Sequence, residues 1–183
     1  MGRRLAATRP GLLTIILPRH PERGGALAET LRGTGFELAR RSAGEPLRPS
    51  TEIYLADTLG EVGLFIRLAA AVMMGGSFVP VGGHNPLEPA LLGRPVLYGP
   101  LMESFAEICA RLEADGLAEM VADEAALAAA LARHLETPAP AAGVEPSAAA
   151  RRLAAEGQAV LAGVLAEVDH HLPTEQRGGR GAG

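Results

Sequence analysis

Three short clusters gather the polar and small residues of this chain, and each follows a run of apolar residues. The first is Pro18-Arg19-His20-Pro21-Glu22-Arg23. Two guanidiniums and an imidazole in that turn suit bidentate recognition of a phosphate or carboxylate. Pro21 and Glu22 also fit an ordinary helix opening, whereas Arg19 and His20 have no capping task. The second cluster is Asp57-Thr58-Leu59-Gly60-Glu61. Thr58 and Glu61 have capping-box spacing, and a helix N-terminus with free amides beside a small Gly60 is equally a seat for an anion or nucleotide. The third runs Gly75-Gly76-Ser77 and then Gly82-Gly83-His84-Asn85-Pro86-Leu87-Glu88. Asn85 as N-cap, Pro86 at the first helical position and Glu88 at the third make a well-formed helix start. Capping does not explain four glycines, Ser77 and His84 gathered beside them, and glycine pairs permit close backbone approach to a ligand. The spacing matches neither the dinucleotide fingerprint nor a Walker loop.

The elements that must hold these turns alternate along the chain. Strands are predicted at Leu12 to Leu17, Phe36 to Arg40, Glu52 to Ala56, Ala71 to Met74, Pro95 to Tyr98 and Ala118 to Val121. Leu12 to Leu17 in particular is a short run without polar alternation, as in a parallel strand buried on both faces. Helices are predicted at Glu22 to Arg32, Thr58 to Leu68, Asn85 to Leu92, Ser104 to Asp115 and Asp123 to Leu135. Strands separated by helices imply βαβ units with right-handed crossovers. The expected fold is therefore α/β, a doubly wound, mostly parallel Rossmann-like sheet flanked by helices, with ligands beyond the carboxyl ends of its strands. Residues 1–11 read as an N-terminal extension, 12–136 as the α/β domain, 137–146 as a Pro/Ala linker, 147–172 as a C-terminal amphipathic helix and 173–183 as a disordered tail. The helix carries Leu153, Val160, Leu161, Val164 and Val168 on one stripe, which needs a surface to lie on.

Composition narrows the classes of function. The chain has 183 residues, enough for one domain with a real core but short for a two-domain enzyme. It holds 34 alanines, six aromatics and no Trp, so stacking of bases on an aromatic platform is disfavoured. All 17 basic residues are Arg, and a net charge of -4 offers no basic stripe for a nucleic-acid backbone. The single Cys109 excludes an intramolecular disulfide framework, fits a reducing compartment and reads as core filler. No spacing of His, Asp and Glu suggests a metal site. No apolar run approaches the roughly 18 residues that span a bilayer, the Leu12 to Leu17 run is too short for a signal-peptide core, and Ala6 removes the myristoylation pattern.

The strings PRHPER, Arg41-Ser42, DTLGE, GGS, GGHNPLEPA, GRPVLYGP and SFAEI, in that order and spacing, resemble the C-terminal half of the bacterial 3-deoxy-D-manno-octulosonic acid (Kdo) transferases of lipopolysaccharide core synthesis. The resemblance covers about Leu12 to Leu135, with departures at Ala70, where the family usually has Asp, and Ser104, where it usually has Asn. It implies the donor domain of a two-domain GT-B glycosyltransferase that moves Kdo from CMP-Kdo to lipid A precursor at the cytoplasmic face of the inner membrane. By that resemblance Pro18 and Arg19 contact CMP, Leu59, Gly60 and Glu61 line its pocket, and Asn85, Pro86, Leu87 and Glu88 hold phosphate and ribose. Arg19 and the helix start at Asn85 offer positive potential to a phosphate, and Glu88 can accept bonds from ribose hydroxyls. His20, Arg23, Ser77, Gly83 and His84 are secondary candidates. No cofactor and no metal are implied. The acceptor domain and the catalytic Glu are expected in a separate N-terminal half, so this chain is expected to bind donor without completing transfer, and association with such a half is a further expectation. The alternatives are a stand-alone, non-catalytic nucleotide-binding or interaction module, and another GT-B sugar-nucleotide enzyme using UDP. The terminal helix is expected to pack across the cleft toward the second domain.

Overall fold

The computed structural model describes residues 11–136 and 146–171. Apart from Gly11 and Pro146, the predicted N-terminal extension (1–11), linker (137–146) and tail (173–183) lie outside the described residues. The first half is β1 (Thr14–Ile16), a 3-10 turn at Pro21–Arg23, α1 (Gly24–Gly33), β2 (Leu38–Arg40), β3 (Ile53–Leu55) and α2 (Val62–Leu68). The second is β4 (Val72–Met73), α3 (Leu87–Leu91), β5 (Val96–Tyr98), a 3-10 turn at Glu103–Phe105, α4 (Ala106–Ala114), β6 (Ala118–Met120) and α5 (Glu124–Glu136). A 24-residue helix, α6 (Ala148–His171), closes the described chain.

Every strand pairing is parallel, so the α/β architecture expected from the alternating apolar runs is present. The six short strands carry their ladders as two three-stranded sheets, ordered β1-β3-β2 and β4-β5-β6. Register decides what happens at the carboxyl edge. Ile16 and Arg40 both pair with Leu55, so β1, β2 and β3 release Leu17-Pro18, Arg41-Ser42 and Ala56-Asp57 side by side.

The central strands are buried on both faces, as their unbroken apolar sequences require. In β5, Val96 and Tyr98 join Met74, Ala90, Cys109 and Leu112 in one cluster, while Leu97 points the other way and packs with Val121, Leu127 and Ala130. Successive side chains of a strand face opposite sides, so α4 and α5 cover the two faces of this sheet. Cys109 is thus a core residue, and burial pushes its thiol pKa up. Around β3, Tyr54, Ala39, Ala56 and Phe65 form a separate cluster, with the Tyr54 and Phe65 rings edge to face at 5.9 Å.

The terminal helix is anchored through its N-terminal part, where Glu156 also accepts from Arg111 at 2.5 Å. The Ser147 hydroxyl accepts the Ala150 amide at 3.1 Å, Ala150 is fully buried and Leu153 packs on the α4 cluster. From residue 155 to 171 every position is exposed, including Val160, Leu161, Val164, Leu165 and Val168. Beyond Leu153 the predicted stripe therefore leaves this domain rather than burying against it. No described helix is long and apolar enough to cross a membrane.

Candidate functional site

Asp57, the second residue beyond β3, organises the carboxyl edge of the first sheet. It is 4% exposed, and its carboxylate accepts bonds from Arg40 Nε at 2.5 Å, Ser42 Oγ at 2.8 Å and the Ser42 amide at 3.0 Å. Burial alone would push this carboxyl up; the bonds from Arg40 and Ser42 outweigh it and hold the pKa below the usual carboxylate range. The third wall is Gly24, the first residue of α1, where a Cβ would stand 2.1 Å from Asp57 Oδ2. A glycine at that point lets the turn carrying Arg19, His20 and Arg23 seat directly against the end of β3.

Thr58 and Glu61 do not form the expected capping box. α2 begins at Val62, Glu61 occupies the N-cap without a side-chain cap bond, and Thr58 Oγ1 donates instead to Glu61 Oε2. The carboxylate has a stronger partner, because Arg41 donates from Nε at 3.0 Å and from Nη2 at 2.6 Å in a two-bonded pair. Hydrogen bonds from Arg41 and then Thr58 lower the Glu61 pKa to about 2, and the same pair raises the already high pKa of Arg41. Leu59 and Gly60 form the tip of this turn; Leu59 is 84% exposed and Gly60 has φ +80°.

The glycine-rich segments are packed against each other. Gly76, at φ +76°, has Val81 and Gly83 as neighbours, and a Cβ at Gly83, at φ +71°, would stand 2.1 Å from Met102 Sδ. His84 lies over Gly75, with its Cδ2 at 3.4 Å from where a Cβ would be. Ser77 is fully buried; its hydroxyl donates to the Met74 carbonyl and accepts the Gly99 amide, each at 2.8 Å. Ser77 therefore ties the turn after β4 to the end of β5, with its hydroxyl proton committed and its side chain shut away from solvent. Gly83, likewise, is required by its chain neighbours.

Just before α3, Asn85 Oδ1 accepts the Leu87 amide at 3.0 Å, a bond two residues on along the chain; the N-cap is Pro86 rather than the expected Asn85, and the helix begins at Leu87 rather than Pro86, without a side-chain cap bond. α2 and α3 pack together and leave a groove of about 380 Å³ lined by Gly63, Arg67, Asn85, Leu87, Glu88 and Leu91. Asn85, Leu87 and Glu88 of the third cluster stand in this groove, whereas the second cluster contributes none of its own residues, only Gly63 and Arg67 of the helix that follows it. Asn85 and Glu88 are exposed there, Leu87 is half-buried and Pro86 is buried beneath. Glu88 makes no ion pair among the described residues. At the first turn Pro18 is half-buried and Arg19 and His20 are exposed; His20 Nδ1 lies 3.3 Å from Glu22 Oε1, while Arg19 and Arg23 form no ion pair among the described residues. Among the described residues no group of three His, Cys, Asp or Glu is placed to hold a metal.

Arg40 is absent from the candidates named from sequence, and Asp57 and Arg41 appear there only as members of a cluster and of a string, without a role of their own. Their signal was local: consecutive arginines at the end of one strand and a lone Asp at the end of its neighbour. Arg67, in the groove wall, carried no comparable signal.

Parallel strands that release polar turns at their carboxyl edges, with helices packed on them, place this chain among the α/β domains. No family model matches the chain. It is 40% identical over 119 residues to the 3-deoxy-D-manno-octulosonic acid transferase of Haemophilus influenzae, a match covering 64% of this chain and 28% of that protein. The Bordetella pertussis transferase is 41% identical over 106 residues, covering 57% and 24%. A probable mitochondrial transferase of Arabidopsis thaliana is 42% identical over 97 residues, covering 52% and 22%. The chain thus spans about a quarter of the length of these curated relatives. Among solved structures, the C-terminal CMP-Kdo binding domain of WaaA from Acinetobacter baumannii matches with a TM-score of 0.69 and 30% identity, over 87% of this chain and 78% of that one. The chain belongs to the 3-deoxy-D-manno-octulosonic acid transferase family, in the region of its C-terminal domain.

Proposed function

We propose that this chain is the donor-nucleotide-binding part of a Kdo transferase. The observation that carries the proposal is the α2–α3 groove, with Asn85 and Glu88 in its wall, in a chain whose structural relative is a CMP-Kdo binding domain. Pro18 and Arg19, the Leu59-Gly60-Glu61 turn, and Asn85, Pro86, Leu87 and Glu88 form the CMP site in this reading. The exposed residues among them support it, because Arg19 and Glu88 have donors or acceptors not committed to the protein itself. Arg19 supplies a guanidinium for the phosphate, and Glu88 accepts from ribose hydroxyls. His20, Arg23 and His84 are outer members of the site; Ser77 and Gly83 shape it without touching ligand.

When the bond from Kdo to the CMP phosphate breaks, negative charge grows on the departing phosphate. A fixed cation at that position stabilises the transition state more than the ground state. The acceptor, a lipid A precursor, and the catalytic carboxylate belong in this reading to an N-terminal half, at the cytoplasmic face of the inner membrane.

Calorimetric titration of the chain with CMP tests the proposal. Binding is expected, weakened by Arg19→Ala and by Glu88→Ala, with UMP and UDP binding less well. Absence of CMP binding, or affinity unchanged in both variants, overturns it; a preference for UDP moves the assignment to another sugar-nucleotide transferase.

A further inference from the structure

The geometry points to Arg41 as the positioning residue of this site, gripping the Glu61 carboxylate through two bonds, with Thr58 as the third, so that the Leu59-Gly60-Glu61 turn is presented in one conformation to the ligand. The inference rests on the nucleotide-site reading and adds to it a residue that contributes through Glu61 rather than by contact.

Three features carry it. Arg41 is built on a fixed base: its amide donates to the Leu55 carbonyl at 2.9 Å, and its carbonyl accepts the Gly44 amide at 3.0 Å. Its guanidinium therefore starts from the sheet edge rather than from a free loop. The edge it uses, Nε with Nη2, is the one that would grip a phosphate bidentately, and Glu61 occupies it at 3.0 and 2.6 Å. Finally, the turn that Glu61 terminates has little else to hold it, since Leu59 is exposed, nothing lies within 4 Å of where a Cβ on Gly60 would stand, and α2 has no side-chain cap. Without Arg41 the carboxylate would be both mobile and uncompensated, and it would repel an anionic ligand from the same edge.

The test is a mutant cycle on the full chain, read by calorimetric affinity for CMP and accompanied by urea unfolding of each variant. Arg41→Met is expected to weaken CMP binding by about tenfold, the loss typical of one charge-assisted pair. Arg41→Lys is expected to recover little of it, because an ammonium cannot form the two parallel bonds. In a Glu61→Ala background the Arg41→Met change is expected to cost nothing further, which a direct phosphate contact could not produce. Thr58→Val, a gentler change, is expected to give a smaller loss that likewise vanishes with Glu61→Ala. Losses that add in the double variants, full recovery by Arg41→Lys, or wild-type affinity in Arg41→Met each overturn the clamp while leaving the nucleotide site standing. A wild-type chain that fails to bind CMP overturns the site reading itself, and the clamp with it.

Discussion

Replacing Gly24 by alanine sets a single methyl group against the buried Asp57 network. Gly24 has φ -55° and ψ -38°, an ordinary helical conformation, so alanine brings no backbone strain and should even favour the helix. The obstacle is the methyl itself, at 2.1 Å from Asp57 Oδ2, 2.7 Å from its Cβ and 2.8 Å from its Cγ. To reach the 3.4 Å of ordinary contact the whole carboxylate must retreat, and bonds of 2.5, 2.8 and 3.0 Å to Arg40 and Ser42 cannot all survive that shift. The Asp57 side chain has no solvent exposure, so water does not replace them. Disrupting a buried, hydrogen-bonded ion pair costs about 3–5 kcal/mol, which for a chain of this size lowers the melting temperature by about 10 °C. Urea unfolding followed by far-UV circular dichroism measures the loss. Gly157→Ala supplies the control, because nothing lies within 4 Å of its added methyl in the exposed part of α6, and there alanine should gain about 0.5–1 kcal/mol. A Gly24→Ala variant within about 1 kcal/mol of wild type, with the control behaving as stated, would refute the steric reasoning.

Other outcomes follow from the same geometry. Ser77→Ala leaves the Gly99 amide without its acceptor and should cost about 1–3 kcal/mol, measured by thermal unfolding. Asp57 and Glu61 ionise more readily in the folded chain than in the unfolded one, so their contribution is full above the unfolded carboxylate range. It is lost as pH falls through the folded values, about 2 for Glu61; urea midpoints should drop steadily from about pH 5 downward. Asp57→Asn should flatten that slope, and a slope unchanged by it contradicts the assignment. Glu88→Ala should lower CMP affinity with an unchanged unfolding midpoint, whereas Glu61→Ala should lower both, since only Glu61 is tied into the protein. Ala150→Glu should destabilise the chain through the buried start of α6, while Val164→Glu, further along the exposed stripe, should leave the unfolding midpoint within about 0.5 kcal/mol of wild type.

The fold was legible because burial on both faces leaves a plain trace. Val96-Leu97-Tyr98 and Ile53-Tyr54-Leu55 are apolar at every position, and each is a central strand. Helix starts were less legible. Thr58 and Glu61 have the spacing of a capping box, yet their side chains bond to each other, and Glu61 also to Arg41, twenty residues earlier in the chain. A local pattern describes what a side chain can reach within one turn; it does not record a guanidinium delivered by the neighbouring strand. The split of the ladders into two sheets was illegible for a related reason. It depends on which edges pair, and β4, with two residues in its ladder, differs little in sequence from a strand that would pair on both sides.

The glycines teach the finer distinction between shape and chemistry. Four of them beside Ser77 and His84 announced a close approach, and a close approach is what the structure contains, but the approaching groups are Val81, Met102 and the second glycine segment itself. Glycine reports that something lies near the backbone without saying whether it is ligand or chain. Hydrogen-bonding capacity separates the two. Ser77 is fully buried and has committed its one proton to Met74 and a lone pair to Gly99, whereas Glu88 and Arg19 sit exposed with theirs uncommitted, and Asn85 has used only its side-chain oxygen, leaving its amide group as a donor. Residues with unspent capacity at the carboxyl edge are the ones whose replacement should change binding more than stability. Glu61 belongs to both groups, since Arg41 and Thr58 use part of a carboxylate that has about four lone-pair sites. A residue readable as a cap is therefore held here by Arg41 and Thr58 instead, and only the lone pairs they leave unused are available to the proposed ligand.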